Sequence, residues 1–145
     1  MSPCVSVGVP IYRGEEHLEE ALRSIQQQTH RDLRVLMSVD GRDPVCEAIC
    51  HRFLDDSRFS LVIQPERLGW VGHFNWLTSH AEGDFWYFHQ QDDLVAETYV
   101  ETLLRHATDA PSAALVYCDV NPFGRLEGSF EQVPSVFGGA PFARS

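Results

Sequence analysis

The sequence predicts an α/β domain built on a mostly parallel sheet with helices on both faces. Short apolar segments alternate with amphipathic ones along the chain, which is typical of successive strand–helix–strand units with right-handed crossovers. The run Phe85–Phe88 is aromatic at every position, which favours a strand buried on both faces. With 145 residues, 43% of them apolar and 22% charged, the chain matches one globular domain.

The elements follow in order from local signals. The segment Val5–Ile11 is strand-like, and we expect Pro10 to close it because proline lacks the donor that a central ladder needs. The helix after Gly14 has apolar residues at helical spacing, namely Leu18, Ala21, Leu22 and Ile25. Asp43 and Pro44 form an N-cap and first-turn pair for a second helix. Further strands are predicted at 33–39, 59–64 and 113–119, and further helices at 71–80 and 96–107.

Composition excludes several classes of function. The formal net charge of −10 argues against a nucleic-acid surface, which needs clustered Lys and Arg. No apolar run has the length of a membrane span, and Met1–Cys4 lacks the features of a secretory signal. The cysteines lie at 4, 46, 50 and 118 without a disulfide or zinc spacing. We therefore expect reduced thiols and a cytoplasmic protein, either free or peripheral to a membrane.

Two adjacent carboxylates, Asp92 and Asp93, come just after the aromatic run. That position is the carboxyl end of a predicted parallel strand, where open α/β sheets place their ligand crevice. Neighbouring carboxylates repel each other unless a cation lies beside them, and a hard divalent ion with oxygen ligands fits that role. A solvated loop with Asp93 near a helix start is the structural alternative.

The chain carries an ordered series of motifs, at Val5–Arg13, Leu18–Thr29, Val39–Asp43, Glu66–Gly69 with Asn75, and Ala81–Asp93. This series resembles the family 2 glycosyltransferases of GT-A (Rossmann-like) fold. The opening Val5–Arg13 resembles that family's Val-Ser-Val-Ile-Ile-Pro-Thr-Tyr-Asn strand, and Leu18–Thr29 resembles its first helix. Val39–Asp43 resembles its Asp-Asp-Gly turn. Glu66–Gly69, followed by Asn75, resembles its Glu-Asn-Leu-Gly motif, and the segment from Ala81 to Asp93 resembles the approach to its metal-binding Asp-x-Asp. The resemblance runs from Val5 to about Asp119.

The resemblance implies a nucleotide-sugar donor site at the carboxyl ends of the strands, with roles for particular residues. Asp92 and Asp93 would be catalytic by holding Mg²⁺ or Mn²⁺ against the diphosphate. Asp40 would accept the imide N–H of uracil or thymine, so a UDP- or dTDP-sugar is the implied donor. The remaining donor contacts would come from Pro10, Tyr12, Arg13, Arg67 and Gln91.

Each of these roles has a structural alternative. Asp40 beside Gly41 is also an ordinary turn pair. Tyr12 could be wall packing, and Arg67 a surface arginine. We interpret His73 and His89, near the predicted crevice, as packing or solvent residues rather than as site residues.

The sequence departs from the family pattern at three positions. Val39 and Gln90 stand where the family has carboxylates, and an amide adds no charge to a cation site. Phe74 stands where the family frequently has an arginine, which removes one phosphate contact and leaves Arg67 or His73 to substitute for it. These departures concern the residues that contact the donor and not the elements of the fold.

The resemblance also implies a division of the chain. Residues 1–120 would form the nucleotide-sugar-binding domain, and residues 121–145, rich in Gly and Pro, would be a loop or the start of an acceptor-binding region. The carboxylates of that tail, Glu127 and Glu131, are weak candidates for the general base that an inverting transferase needs.

We therefore expect a glycosyltransferase, or its donor-binding portion, that transfers a sugar to a saccharide or lipid-linked acceptor. The alternative is an inactive nucleotide-binding module. A dinucleotide-dependent enzyme or a nucleotidyltransferase is disfavoured because Pro10–Gly14 is not a glycine-rich phosphate loop.

Overall fold

The computed structural model describes residues 2–120 of the chain. In this part, strands and helices alternate in the order β1 Val5–Ile11, α1 Leu18–Gln26, β2 Leu33–Val39, α2 Pro44–His51, β3 Phe59–Ile63, α3 Gly69–Ser79, β4 Phe85–Phe88 and α4 Tyr99–Asp109. All strand pairs are parallel, in the spatial order β3-β2-β1-β4. The α/β class and the parallel sheet are confirmed.

Helices pack on both faces of this sheet, as predicted. Val7 of β1 and Met37 of β2 belong to a buried apolar cluster with Leu22 of α1 and Cys50 of α2. Successive side chains of a strand point to opposite faces, so the even-numbered residues of β1 face the other side. On that side, side chains of α3 and of the neighbouring strand β4 cover Gly8. A Cβ on Gly8 would lie 2.5 Å from the Trp86 ring and 3.5 Å from Leu77.

The expectation that the aromatic strand is buried on both faces is wrong. Within residues 2–120, β4 is an edge strand with β1 as its one neighbour. Phe85 is 43% exposed and the three following rings are half-buried. The inner ring face is still well packed, because Phe88 lies 4.7 Å from the Phe74 ring of α3.

The predicted fifth strand at 113–119 is also wrong, since these residues carry no strand in the structure. Residues 113–116 lie beside β4 and α4, yet they do not pair with β4. Leu115 is 75% exposed. Strand propensity mostly reflects packing on a paired, half-buried surface, so the apolar pattern alone does not make a strand here.

Helix boundaries differ from the prediction by a few residues. The third helix begins at Gly69 rather than 71, and the fourth begins at Tyr99 rather than 96. The predicted N-cap of α2 is confirmed, because the Asp43 carboxylate accepts the backbone N–H of Cys46 at 3.1 Å.

The strand β1 ends at Ile11, as the predicted segment does, but Pro10 ends only one of its two ladders and does not close the strand. Asp40 N–H donates to Ile11 O at 2.8 Å and His89 N–H donates to Gly8 O at 2.9 Å. Odd-numbered residues of β1 therefore bond to β2 and even-numbered residues to β4. The Pro10 nitrogen faces the β4 side, where pairing stops at Gly8. The two strands part at that point.

Three remaining expectations concern the chain as a whole. In the part that the structure describes, the four cysteines are free thiols, as expected. None of the helices within residues 2–120 is long and apolar enough to cross a membrane. The predicted tail 121–145, with Glu127 and Glu131, lies outside the described residues.

Candidate functional site

A crevice of about 280 Å³ opens where β1 and β4 part, at the carboxyl ends of the strands. Six of the eight predicted site residues line it: Pro10, Tyr12, Asp40, Arg67, Gln91 and Asp92. Arg13 and Asp93, the other two, are exposed beside it and do not line it. Four further residues also line it, namely Ile11, Trp70, His73 and Gln90. The topology therefore brings together residues that are up to 82 positions apart, from Pro10 to Asp92.

Asp40 joins the end of β2 to the start of α3. Its carboxylate accepts the backbone N–H of Leu68 at 2.6 Å and that of Gly69 at 3.0 Å. These are unpaired donors at a helix start, which a carboxylate satisfies well. Asp40 is 7% exposed and also lines the crevice, so a second lone pair on each oxygen is left for a ligand. Asp40 therefore has a structural role at the start of α3, which is not the local Asp40–Gly41 turn role considered from the sequence.

The Tyr12 ring lies against two cations. The guanidinium carbon of Arg67 lies 4.0 Å from the ring centroid, and that of Arg13 lies 5.2 Å from it. Both distances are within the range of cation–π attraction. Arg67 thus covers one face of the Tyr12 ring, and a base could stack on that face only if Arg67 moved. Arg13 has φ of +50°, a left-handed conformation that costs a non-glycine residue energy.

Gln91 bridges the two loops that flank the crevice. Its Oε1 accepts the Tyr12 backbone N–H at 2.9 Å, and its Nε2 donates to the Tyr12 carbonyl at 3.0 Å. The amide thereby copies the pairing of a strand neighbour where β4 itself has ended. A Cβ on Gly14 would overlap the Gln91 amide, so glycine is needed there for the close approach.

Asp92 and Asp93 lie past the end of β4 and are exposed. Partial burial and, secondarily, the charge of Asp92 raise the pKa of Asp93. The buried His89 ring fixes the loop, because its Nε2 donates to the Asp93 carbonyl at 3.1 Å. Burial lowers the pKa of His89 to about 4, so this imidazole is neutral at pH 7. Two repelling carboxylates with exposed oxygens form a donor set that fits Mg²⁺ or Mn²⁺.

His73 lines the crevice, although the sequence favours a packing or solvent role for it. It is 3% exposed, and its Nε2 lies 2.7 Å from the Ser38 hydroxyl. Gln64 donates to the same hydroxyl at 3.0 Å. The signal was present in the sequence, because His73 stands four residues after Gly69, one helical turn into α3. Trp70, 61% exposed, was not singled out from the sequence.

One group of three potential metal ligands occurs elsewhere in the described part. Atoms of Glu15, Asp43 and Cys46 all lie within 4.8 Å of one another. Asp43 is already engaged as the N-cap of α2. Burial raises the pKa of Cys46 to about 11, and the thiol lies within the buried apolar cluster. We therefore assign this group to the structure of α2 and not to a metal centre.

Comparison with known proteins decides the family. The family described as glycosyl transferase family 2 matches residues 6–131. The chain belongs to this family. Two of its relatives are in Streptococcus pneumoniae: glycosyltransferase GlyA is 28% identical over 126 residues, 87% of this chain and 18% of that protein. Glycosyltransferase GlyG is 28% identical over 131 residues, 90% of this chain and 43% of that protein. The family 2 chain therefore spans less than half the length of either relative.

Solved structures agree with the family 2 fold. The mannosyltransferase PcManGT from Pyrobaculum calidifontis, in complex with GDP-Man and Mn²⁺, has a TM-score of 0.67 at 23% identity over 76% of this chain and 34% of its own. Staphylococcus aureus TarS in complex with UDP has a TM-score of 0.68 at 21% identity over 73% of this chain and 32% of its own. The parallel sheet is thus that of GT-A transferases.

Proposed function

We propose that this chain binds the nucleotide diphosphate of a sugar donor in the crevice and serves as the donor-binding portion of an inverting glycosyltransferase. The observation that carries the proposal is the gathering of Pro10, Tyr12, Asp40, Arg67, Gln91 and Asp92 around one cavity at the strand ends. An open α/β sheet places ligands there because loop backbone and polar side chains converge where strands diverge.

The crevice has two chemically different ends. Asp40, with Arg67 over Tyr12, forms an end suited to a uracil or thymine base, where a carboxylate accepts the imide N–H. Arg13 lies outside that wall, and its role is to hold the Tyr12 ring. Gln91 positions the same loop through its backbone bonds.

The other end carries the charge chemistry. Asp92 and Asp93 would hold Mg²⁺ or Mn²⁺ there, and that ion would stabilise the diphosphate as it leaves the sugar. The chain's own contribution is to keep two carboxylates side by side on a loop that His89 holds through the Asp93 carbonyl. The Mn²⁺ and GDP-Man in PcManGT and the UDP in TarS support this arrangement by analogy.

The acceptor would be a saccharide or a lipid-linked saccharide, and the protein would act in the cytoplasm or at a membrane surface. Residues 121–145 would contribute to acceptor binding or continue into the region that does. A second candidate function, a nucleotide-binding module without turnover, is favoured by Gln90, an amide where the family has a carboxylate. A transfer assay with labelled donor and a panel of acceptors separates the two, because the module would bind donor without releasing nucleotide.

Calorimetric titration with UDP, with and without a chelator, tests the proposal. We expect measurable affinity with Mg²⁺ or Mn²⁺ and a loss of about tenfold or more in chelator, since the ion would bridge the charges. Asp92→Asn and Asp93→Asn should remove the metal dependence and leave the protein folded. Asp55→Asn, an exposed carboxylate on another loop, is the matched control. Equal affinity under both conditions would eliminate the metal role.

A further inference from the structure

His73 is a buried polar side chain in the wall of the crevice, and its ring has a defined donor. The Ser38 hydroxyl has one hydrogen and two lone pairs, and Gln64 Nε2 donates to it at 3.0 Å. Among the described residues, His73 Nε2 at 2.7 Å is the acceptor that the hydrogen-bond network offers to the hydroxyl hydrogen, and we assign the bond in that direction. Nε2 accepts, so the proton of the neutral ring is on Nδ1. This tautomer is assigned from the hydrogen-bond network.

Neutrality of the ring follows from its surroundings. Burial lowers the pKa of His73, and the negative charge of Asp40 opposes that shift only in part. A neutral N–H donor in a buried wall suits an uncharged acceptor such as a carbonyl oxygen, whereas a phosphate is better matched by a cation. His73 therefore fits the base end of the crevice and not the diphosphate end at Asp92.

The chain thus presents a donor and an acceptor close together in one wall. His73 would offer Nδ1–H and Asp40 a carboxylate lone pair. Both residues line the crevice, and His73 lies one helical turn beyond the Gly69 N–H that Asp40 binds. A carbonyl next to a ring N–H is complementary to such a pair. In a pyrimidine nucleotide O4 and N3–H lie furthest from the ribose, so an inserted base presents them to the buried wall.

We propose that His73 is a specificity-determining residue that donates from Nδ1 to the O4 carbonyl of uracil or thymine while Asp40 accepts N3–H. This inference rests on the proposed donor-binding function. For a base held in the same position by its ribose and diphosphate, cytosine would point its amino group at the His73 donor and its bare N3 at Asp40. Both contacts would then be repulsive, and a site that leaves buried polar groups unpaired rejects a ligand strongly.

The test compares UDP with 4-thio-UDP, which keeps N3–H but replaces O4 with sulfur, a weak acceptor. Titrations in Mg²⁺ use the wild type, His73→Phe, which keeps an aromatic ring without a donor, and His80→Phe. His80 is the C-cap residue of the same helix, and its ring is exposed and stacked on Trp76. We expect the wild type and His80→Phe to prefer UDP by about tenfold, as for one hydrogen bond, and His73→Phe to bind both ligands alike.

Other results would overturn the inference. One is equal affinity of the wild type for UDP and 4-thio-UDP. This comparison needs no variant, so it tests the inference even if His73→Phe does not fold. Another is a His73→Phe variant that keeps the preference for UDP. A wild-type protein that binds neither UDP nor pyrophosphate would instead overturn the proposed function itself. Binding of UDP without the O4 preference leaves the proposed function intact, so the two failures are distinguishable.

Discussion

Asp40 at the end of β2 accepts the backbone N–H of Gly69, the first residue of α3, at 3.0 Å. This bond ties the strand that carries the carboxylate proposed to bind the base to the helix that carries His73. Because the same Asp40 carboxylate also takes the Leu68 N–H, a change at Asp40 alters the position of α3 as well as the charge of the crevice. Stability and binding are therefore coupled at this residue.

Replacing Asp40 by alanine should lower both the stability of the protein and its affinity for nucleotides. We expect a loss of about 2 kcal/mol in the free energy of unfolding, because two donors at a helix start lose their partner. Urea denaturation measures it. Affinity for uridine nucleotides should fall more than affinity for pyrophosphate, by calorimetry. If both ligands weaken by the same factor, Asp40 holds the loop and does not contact the base.

Replacing Gly14 by alanine should disturb the brace between the β1 and β4 loops. The new Cβ would overlap the Gln91 amide and break its two bonds to Tyr12, at a cost of about 1–3 kcal/mol. UDP affinity should fall with stability, as measured by denaturation and titration. Gly72→Ala in α3 is the control, since its Cβ meets only the Leu68 side chain at 3.3 Å. Equal behaviour of the two variants would contradict the brace.

The ion pair of Asp56 and Arg58 predicts an acid-dependent stability. Hydrogen bonds from Arg58 lower the pKa of Asp56 from 3.8 to about 2. Because the folded-state pKa is lower, the stabilisation is present above about pH 4 and is lost as the pH falls towards 2. Asp56→Asn should cost about 2 kcal/mol at pH 7 and progressively less below pH 4.

Denaturation of the wild type and Asp56→Asn at pH 7, 4 and 2.5 measures this convergence. Asp55→Asn, at an exposed neighbouring position, should differ little from the wild type throughout. A difference between Asp56→Asn and the wild type that stays constant from pH 7 to 2.5 would show that the carboxylate charge is not what stabilises this turn.

The cysteines should differ sharply in reactivity. Burial raises the pKa of Cys46 to about 11 and that of Cys50 to about 12, whereas Cys118 is exposed. The thiolate is the reactive form, so iodoacetamide at pH 8 should modify Cys118 first and leave Cys46 and Cys50 intact until urea is added. Peptide mass spectrometry gives the order. Rapid modification of Cys46 in the folded chain would contradict the packing of α2.

Much of this architecture could be read from the sequence because it rests on local patterns. Helical spacing around Leu22, the Asp43–Pro44 start of α2 and the strand Val5–Ile11 depend on neighbours in the chain, and the structure agrees with them. The position of Asp92 beyond the end of β4 could also be predicted, because it depends only on where the aromatic run ends along the chain. The strand predicted at 113–119 shows the limit, because a strand also requires a partner that no local pattern supplies.

The sequence by itself determined the α/β alternation, the family and the set of polar residues at strand ends. The tertiary structure alone decided what those residues touch. The Gln91 amide pairs with the Tyr12 backbone across 79 positions, Asp40 caps a helix 29 residues away, and Ser38 sets the His73 ring from 35 residues away. A hydrogen bond requires its two atoms to lie about 3 Å apart. Which atoms come that close depends on which strands are neighbours and on where Pro10 ends the ladder. Position on a strand is a local property, whereas a hydrogen-bond partner is a property of the fold.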